Sequence, residues 1–278
     1  MTRLAYLGPR GTNTEAAAVG YDPDAELLPV ASVAAAAQAV RDGEADAAVC
    51  AIENSIEGSV RETLDMLLRG DTELQIFGET VLPIRHALVA AGGTDPGAAT
   101  VVYSHPQALA QCRERLTQLA PGARPMAALS TAAAIESALA EPGALAVSTA
   151  RAAAIYGAAV LADDIADEVG NATRFVVLAP EDHAPTGDDK TSIAFTTAAD
   201  LPGTLVTVLQ EFSRRSLNLT HVQSRPTRIA LGTYVFLLDL QGHRTDEPVA
   251  EALAATEAQS EWLRVLGSYP RWTLADDA

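Results

Sequence analysis

Six short apolar runs in the first two thirds of the chain alternate with longer helical patterns, which restricts the fold more than any single motif. The runs are "RLAYLG", "DAAVCAI", "QIFGETVLPIRHALVAA", "TVVYS", "GALAVS" and "RFVVLA". Between them lie "SVAAAAQAVRDG", "SVRETLDMLLRG", "PQALAQCRERLTQLA" and "STAAAIESALAE". Such alternation predicts an α/β architecture with mainly parallel sheets. The pattern stops at "APEDHAPTGDDK", residues 179–190, which is polar, holds two prolines and a glycine, and reads as a linker. Beyond it come a strand ("TSIAFTT"), a helix opened by Pro202, two strands ("NLTHVQSRP", "TYVFLLDLQ"), a helix ("DEPVAEALAATEAQS") and a last strand ("WLRVLGSYP"). That βαββαβ order predicts a ferredoxin-like sandwich. The expected domains are 1–180 and 190–278.

The charge balance excludes some partners. There are 36 acidic against 19 basic residues, a net charge of −17, which repels nucleic acid and anionic membranes. A small anionic substrate is still admissible, because a pocket can invert the local field. Cys50 and Cys112 stand in no CxxC or Cys/His cluster and read as buried thiols. The five histidines lack zinc spacing, so no metal is expected. "MTRLAYLGPRG" lacks the apolar region of a signal peptide, and no run approaches the ~18 apolar residues of a membrane span. A soluble protein of a reducing cytoplasm is expected.

Several strands run directly into helix starts marked by small hydroxyls. Thr12 with Glu15, Ser59 with Glu62, and Ser104 with Gln107 have capping-box spacing. "STAA" and "STAR" repeat the device. In a parallel sheet these loops gather at the carboxyl edge, where helix N-termini favour anions. Repetition points to a small ligand with more than one carboxylate or phosphate. "GPRG" lacks the ending of a phosphate loop, and no GxSxG elbow is present. Glu53 and Asn54 follow an apolar strand directly, placing a polar pair at that edge.

"YLGPRGT", "IENSIEG", "YSHPQALAQC" and "GNATRFVVL" resemble, in order, the signatures of prephenate dehydratase. "PGTLVTVLQEFSRRSLNLTHVQSRP" is similar to the ACT regulatory domain that follows in such enzymes. The resemblance covers roughly residues 4–270. It implies a two-lobed, periplasmic-binding-protein-like catalytic region with a cleft, then the ACT domain. It implies decarboxylative dehydration of prephenate to phenylpyruvate in phenylalanine biosynthesis, with no cofactor. Carried over, Thr173 would assist departure of the ring hydroxyl and Arg174 would clamp a carboxylate, since guanidinium matches carboxylate bidentately. Phe175 would pack beneath the ring. Asn171, Glu53, Asn54, Ser104 and Gln111 would complete the substrate site.

The ACT resemblance implies L-phenylalanine as effector, bound at a subunit interface of a homodimer or homotetramer. The loop Pro202, Gly203, Thr204, Leu205 would meet the ligand carboxylate, with Asn218 and Leu219 from the neighbouring element. Two positions depart from the family pattern. Leu129 stands where several relatives carry an acid, and Gln223 replaces the Glu of Glu-Ser-Arg-Pro, which is expected to alter feedback. Deleting residues 190–278 is expected to leave some turnover without the phenylalanine response. Alternatives are arogenate dehydratase, a decarboxylase without dehydration, and a non-catalytic amino-acid-sensing module.

Overall fold

The structure is a computed structural model that describes residues 1–69, 73–197, 201–227 and 233–273. Contacts divide the chain into two compact units. The first holds Met1–Arg61 and Val81–Phe175, the second Glu62–Thr80 and Val176–Ala278.

In the first segment, β1 (Arg3–Leu7), α1 (Asn13–Tyr21), β2 (Glu26–Val30), α2 (Val33–Arg41), β3 (Ala47–Asn54) and β4 (Gly58–Ser59) follow one another. After α3 (Arg61–Arg69) and β5 (Gln75–Pro83), the chain forms β6 (Ala87–Ala90), a short 3-10 turn, β7 (Val101–Ser104), α4 (Pro106–Gln111), α5 (Arg113–Leu119) and β8 (Arg124–Ala127). Then come α6 (Thr131–Ala140), β9 (Leu145–Ser148), α7 (Ala150–Tyr156), β10 (Ala159–Ala162) and β11 (Ala172–Ala179). One sheet runs β2-β1-β3-β11-β5, with β4 folded onto β3; β2, β1 and β3 are parallel. The other runs β10-β6-β9-β7-β8. There β8, β7 and β9 are parallel, β6 pairs antiparallel with β9, and β10 pairs antiparallel with β6.

Small side chains let helices lie close on these sheets. Ala36 and Ala37 of α2 and Ala17 and Ala18 of α1 are buried. On the second sheet, Leu88, Leu145, Val147 and Ile165 are fully buried in one cluster. Each such side chain contributes roughly 1.5–3 kcal/mol. Caps fix where helices begin: Thr12, Ser32, Ser130 and Thr149 each accept an N–H three residues on. Ser59 departs from the expectation, because it belongs to β4 and pairs opposite Glu53. The expected single helix over 106–120 breaks at Cys112, whose backbone (φ −119, ψ 14) leaves the helical region.

In the second unit the linker leads into β12 (Asp189–Thr197), α8 (Thr204–Ser213), β13 (Leu219–Pro226), β14 (Tyr234–Gln241), α9 (Glu247–Ala258) and β15 (Ser260–Pro270). The sheet order is β13-β14-β12-β15, antiparallel throughout, as the βαββαβ order requires. Phe195, Val208, Phe212, Leu238 and Val249 form its core with α8 and α9. This unit also holds α3 after Arg61 and most of β5. Arg264 of β15 donates to the carbonyls of Leu67 and Leu68, satisfying the last turn of α3 at 3.2 and 2.9 Å. Arg225 of β13 pairs with Asp65. Lys190 of β12 donates to both oxygens of buried Glu79, at 2.7 and 2.9 Å.

Candidate active site

Within the first unit, strand ends and helix starts from both sheets surround a cavity of about 1080 Å³. Asn54, Gln111, Asn171, Thr173 and Phe175, all expected in the site, line it. Asn54 ends β3; Thr173 and Phe175 are alternate residues of β11. Ser55 pins the two strands together, donating its N–H to Ala172 O (2.9 Å) and accepting the N–H of Ala172 (2.9 Å).

Four side chains close a ring of hydrogen bonds. The backbone N–H groups of Ile56 and Glu57 donate to Asn54 Oδ1 at 3.0 and 2.9 Å. Those donors fix the Asn54 amide, so its Nδ2 faces Asn171 Oδ1 at 2.7 Å. Asn171 Nδ2 then donates to Gln111 Oε1 (3.0 Å), and Gln111 Nε2 donates to Glu57 Oε1 (3.1 Å). Backbone N–H groups can only donate and a carboxylate can only accept, so every amide in the ring has one permitted orientation. Bonds running in one direction polarise one another, which rigidifies the set.

Two groups hang from this ring. Asn54 Nδ2 also donates to Thr173 Oγ1 at 2.9 Å. With that lone pair engaged, the Thr173 proton is left to donate elsewhere. His86, which immediately precedes β6, places Nε2 2.9 Å from Gln111 Oε1. Because that oxygen is an acceptor, the ring must be the Nε2–H tautomer. His86 is buried, lines the cavity, and has its Nδ1 buried with no partner among the described residues. Burial pushes its pKa below the ordinary value, partly offset by the bond to Gln111. His86 and Glu57 were not singled out from the sequence. A buried His beside an apolar strand reads as core, and only the fold brings it to Gln111, 25 residues away.

Other expected residues stand elsewhere. Arg174 and Glu53 do not line the cavity; successive residues of a strand point to opposite faces, and these two pair there at 3.5 Å. Ser104 does not line it either. Its hydroxyl is buried and donates to Val147 O at 2.7 Å, tying β7 to β9, while the N-cap of α4 is His105. Leu129, at the position where several relatives are expected to carry an acid, lines the cavity and is almost fully exposed.

The starts of α1 and α6 reach the cavity through Thr12, Asn13, Thr14, Ser130 and Thr131. Their first-turn N–H groups supply positive partial charge. The loop before α1 is held by buried Glu15, which accepts the N–H of Gly11 (2.8 Å) and pairs with Arg151 (2.8 Å) and Arg10 (3.5 Å). Burial alone would raise the Glu15 carboxyl, but Gly11 and the two guanidiniums hold it below the usual range. Burial and the same carboxylate push the Tyr6 phenol up to about 12. Among the described residues, no group of three His, Cys, Asp or Glu is placed to hold a metal.

The expected effector residues all belong to the second unit. Gly203 caps α8 with φ +91, a conformation open to glycine, and Pro202 precedes the helix rather than opening it. Thr204 donates its hydroxyl to Leu201 O (2.7 Å), and Asn218 O accepts the N–H of Gln241 (3.0 Å). Leu205 and Leu219 pack on one core cluster. Gln223 lies 3.5 Å from His221.

Residues 4–183 match the family model "Prephenate dehydratase" and residues 191–258 match "ACT domain". Prephenate dehydratase of Mycobacterium tuberculosis is 43% identical over 97% of this chain and 87% of its own. The crystal structure of prephenate dehydratase from Arthrobacter aurescens in complex with L-Phe superposes with a TM-score of 0.87. It is 40% identical over 97% of this chain and 90% of that one. A structure described as a novel type of quorum-quenching acylase, 29% identical over 97% and 98% of the two chains, has a TM-score of 0.84. With matched models over both parts and these identities along nearly its whole length, this chain belongs to the prephenate dehydratase family and carries an ACT domain after its catalytic region.

Proposed function

We propose that the chain catalyses decarboxylative dehydration of prephenate to phenylpyruvate, restrained by L-phenylalanine acting on the ACT domain. Since the acylase shares the scaffold, the site and not the fold must support this reading. The carrying observation is the pinned Asn54 amide, which occupies Thr173 Oγ1 and leaves the Thr173 proton for a group in the cavity.

The reaction breaks the ring C–O bond and the bond to the ring carboxylate. Electrons from the second bond complete the aromatic ring, CO2 leaves, and the departing oxygen takes up one proton to leave as water. Aromatisation drives the step. The protein must stabilise negative charge developing on the departing oxygen, and Thr173 donates there, more strongly as charge grows. Phe175, on the same face, packs against the ring. The positive ends of α1 and α6 favour the anionic substrate. Glu53 and Arg174 support the site through the strand they brace.

We assign catalysis to residues 1–180 and regulation to 190–278, with Pro202 to Leu205, Asn218 and Leu219 receiving phenylalanine. Exposed Leu201, Val206, Val222 and Tyr234 give that region apolar surface for a homo-oligomeric interface. Buried, unbridged Cys50 and Cys112 fit a reducing cytoplasm.

The test offers purified protein prephenate and arogenate separately at neutral pH and identifies the products. Phenylpyruvate from prephenate is expected; phenylalanine from arogenate alone would overturn the substrate. Thr173→Val keeps the shape and removes the hydroxyl. It is expected to lower kcat roughly 10²–10³-fold with KM changed less than about 3-fold. A Thr173→Val enzyme with wild-type kcat removes Thr173 from the mechanism.

A further inference from the structure

The proposed substrate carries two carboxylates, and the cavity must offer a cation to at least one. Arg174 faces the other side of its strand and pairs with Glu53. Arg10 and Arg151 are engaged by Glu15 and do not line the cavity. His86 and His105 line it, but burial, opposed in part by the bond to Gln111 and by Glu57, pushes both below the ordinary value and disfavours their charged forms. Among the described residues of the lining, Arg61 is the one arginine or lysine. It is exposed, and among the described residues no carboxylate pairs with it.

Its placement is electrostatically unfavourable without a ligand. Arg61 is the first residue of α3, so its positive charge adds to the positive end of the helix dipole. An anion there relieves both charges.

We propose that Arg61 is the substrate-anchoring cation of this enzyme and that it holds the carboxylate of the pyruvyl side chain. The choice between carboxylates follows from the reaction, and so rests on the function proposed above. The ring carboxylate loses its charge as CO2 forms. A guanidinium clamped on it would stabilise the ground state more than the transition state and slow the step. The side-chain carboxylate keeps its charge throughout, so a cation on it strengthens binding without opposing chemistry.

Uniform binding predicts a split in the kinetics. Arg61→Gln is expected to raise KM for prephenate roughly 10-fold or more with kcat within about 2-fold, and Arg61→Lys to recover part of the loss. Phenylpyruvate keeps the side-chain carboxylate and lacks the ring carboxylate, so its affinity, measured by calorimetry, is expected to fall by the same factor. Benzoate, a carboxylate borne directly on a ring, is expected to bind equally to both proteins. Unchanged KM and unchanged phenylpyruvate affinity overturn the assignment. A fall confined to kcat, or an equal loss for benzoate, overturns the choice of carboxylate. A wild-type protein that leaves prephenate untouched defeats the functional reading instead, while phenylpyruvate binding still decides whether Arg61 anchors side-chain carboxylates.

Discussion

In the proposed mechanism Thr173 directs its proton because the groups behind it are themselves fixed, and His86 is the furthest of these. Its Nε2–H adds a second donor to Gln111 Oε1 and so holds the amide on which Asn171 and Asn54 depend. His86 is a positioning residue: it acts through the ring. His86→Phe fills the site without the donor and is expected to lower kcat roughly 10-fold, whereas His86→Gln, which carries an N–H at similar reach, is expected to restore most of it. Equal losses in the two variants would assign His86 to packing. Acid tests the same residue. A lowered folded pKa means that the unfolded state binds the proton more readily, so the stability from neutral His86 is complete above the ordinary 6.5 and is lost as pH falls through the folded value. Unfolding free energies between pH 7 and 5 should therefore decline less steeply in His86→Gln than in wild type. Part of this site was legible in the sequence. Asn54, Gln111, Asn171, Thr173 and Phe175 stood in matching motifs and line the cavity. Thr173 and Arg174 are both expected at the substrate, but alternate residues of a strand face opposite sides, so Thr173 lines the cavity while Arg174 pairs with Glu53. His86 and Glu57 carried no local signal, because their role exists only once distant segments meet.

At the scale of elements, the sequence showed what was strongly patterned and hid what was not. Helices with hydroxyl caps and buried apolar strands were readable from spacing. Strands β2 and β8 were not: both lie at sheet edges, and each contains a proline, Pro29 and Pro125. An edge tolerates a missing N–H, but the residue that permits this also erases the strand pattern. Other constraints are invisible until packing is known. Gly267 of β15 lies at φ +149, and a Cβ there would come within 2.2 Å of the carbonyl oxygen of Ile76 in β5. That neighbour is backbone and cannot swing aside. Gly267→Ala is expected to destabilise the protein by about 1–3 kcal/mol or more, read as a lower denaturation midpoint at unchanged slope. A variant as stable as wild type would show that β15 and β5 can separate freely.

The molecule is not divided where the chain is. The linker at 179–190 suggests that everything before it folds together, yet α3 after Arg61 and β5 up to Thr80 pack with the sheet that follows the linker. The cause is a set of specific contacts made after residue 189. Lys190 neutralises Glu79, whose side chain is 1% exposed; Arg264 caps α3; Arg225 pairs with Asp65; Gly267 abuts Ile76. Residues 190–278 were expected to be removable with some turnover left; these contacts predict the opposite outcome. Truncation at Asp189 would strand the Glu79 carboxylate, and an uncompensated buried charge costs about 3–5 kcal/mol. It would also leave the α3 carbonyls without their partner and bare the Ile76 backbone. Against a typical total stability of about 5–15 kcal/mol, these losses are decisive. The truncated chain is expected to be insoluble or to elute as aggregate in size-exclusion chromatography, with no turnover. A soluble, compact truncation product that turned over prephenate would show that α3 and β5 hold their places unaided.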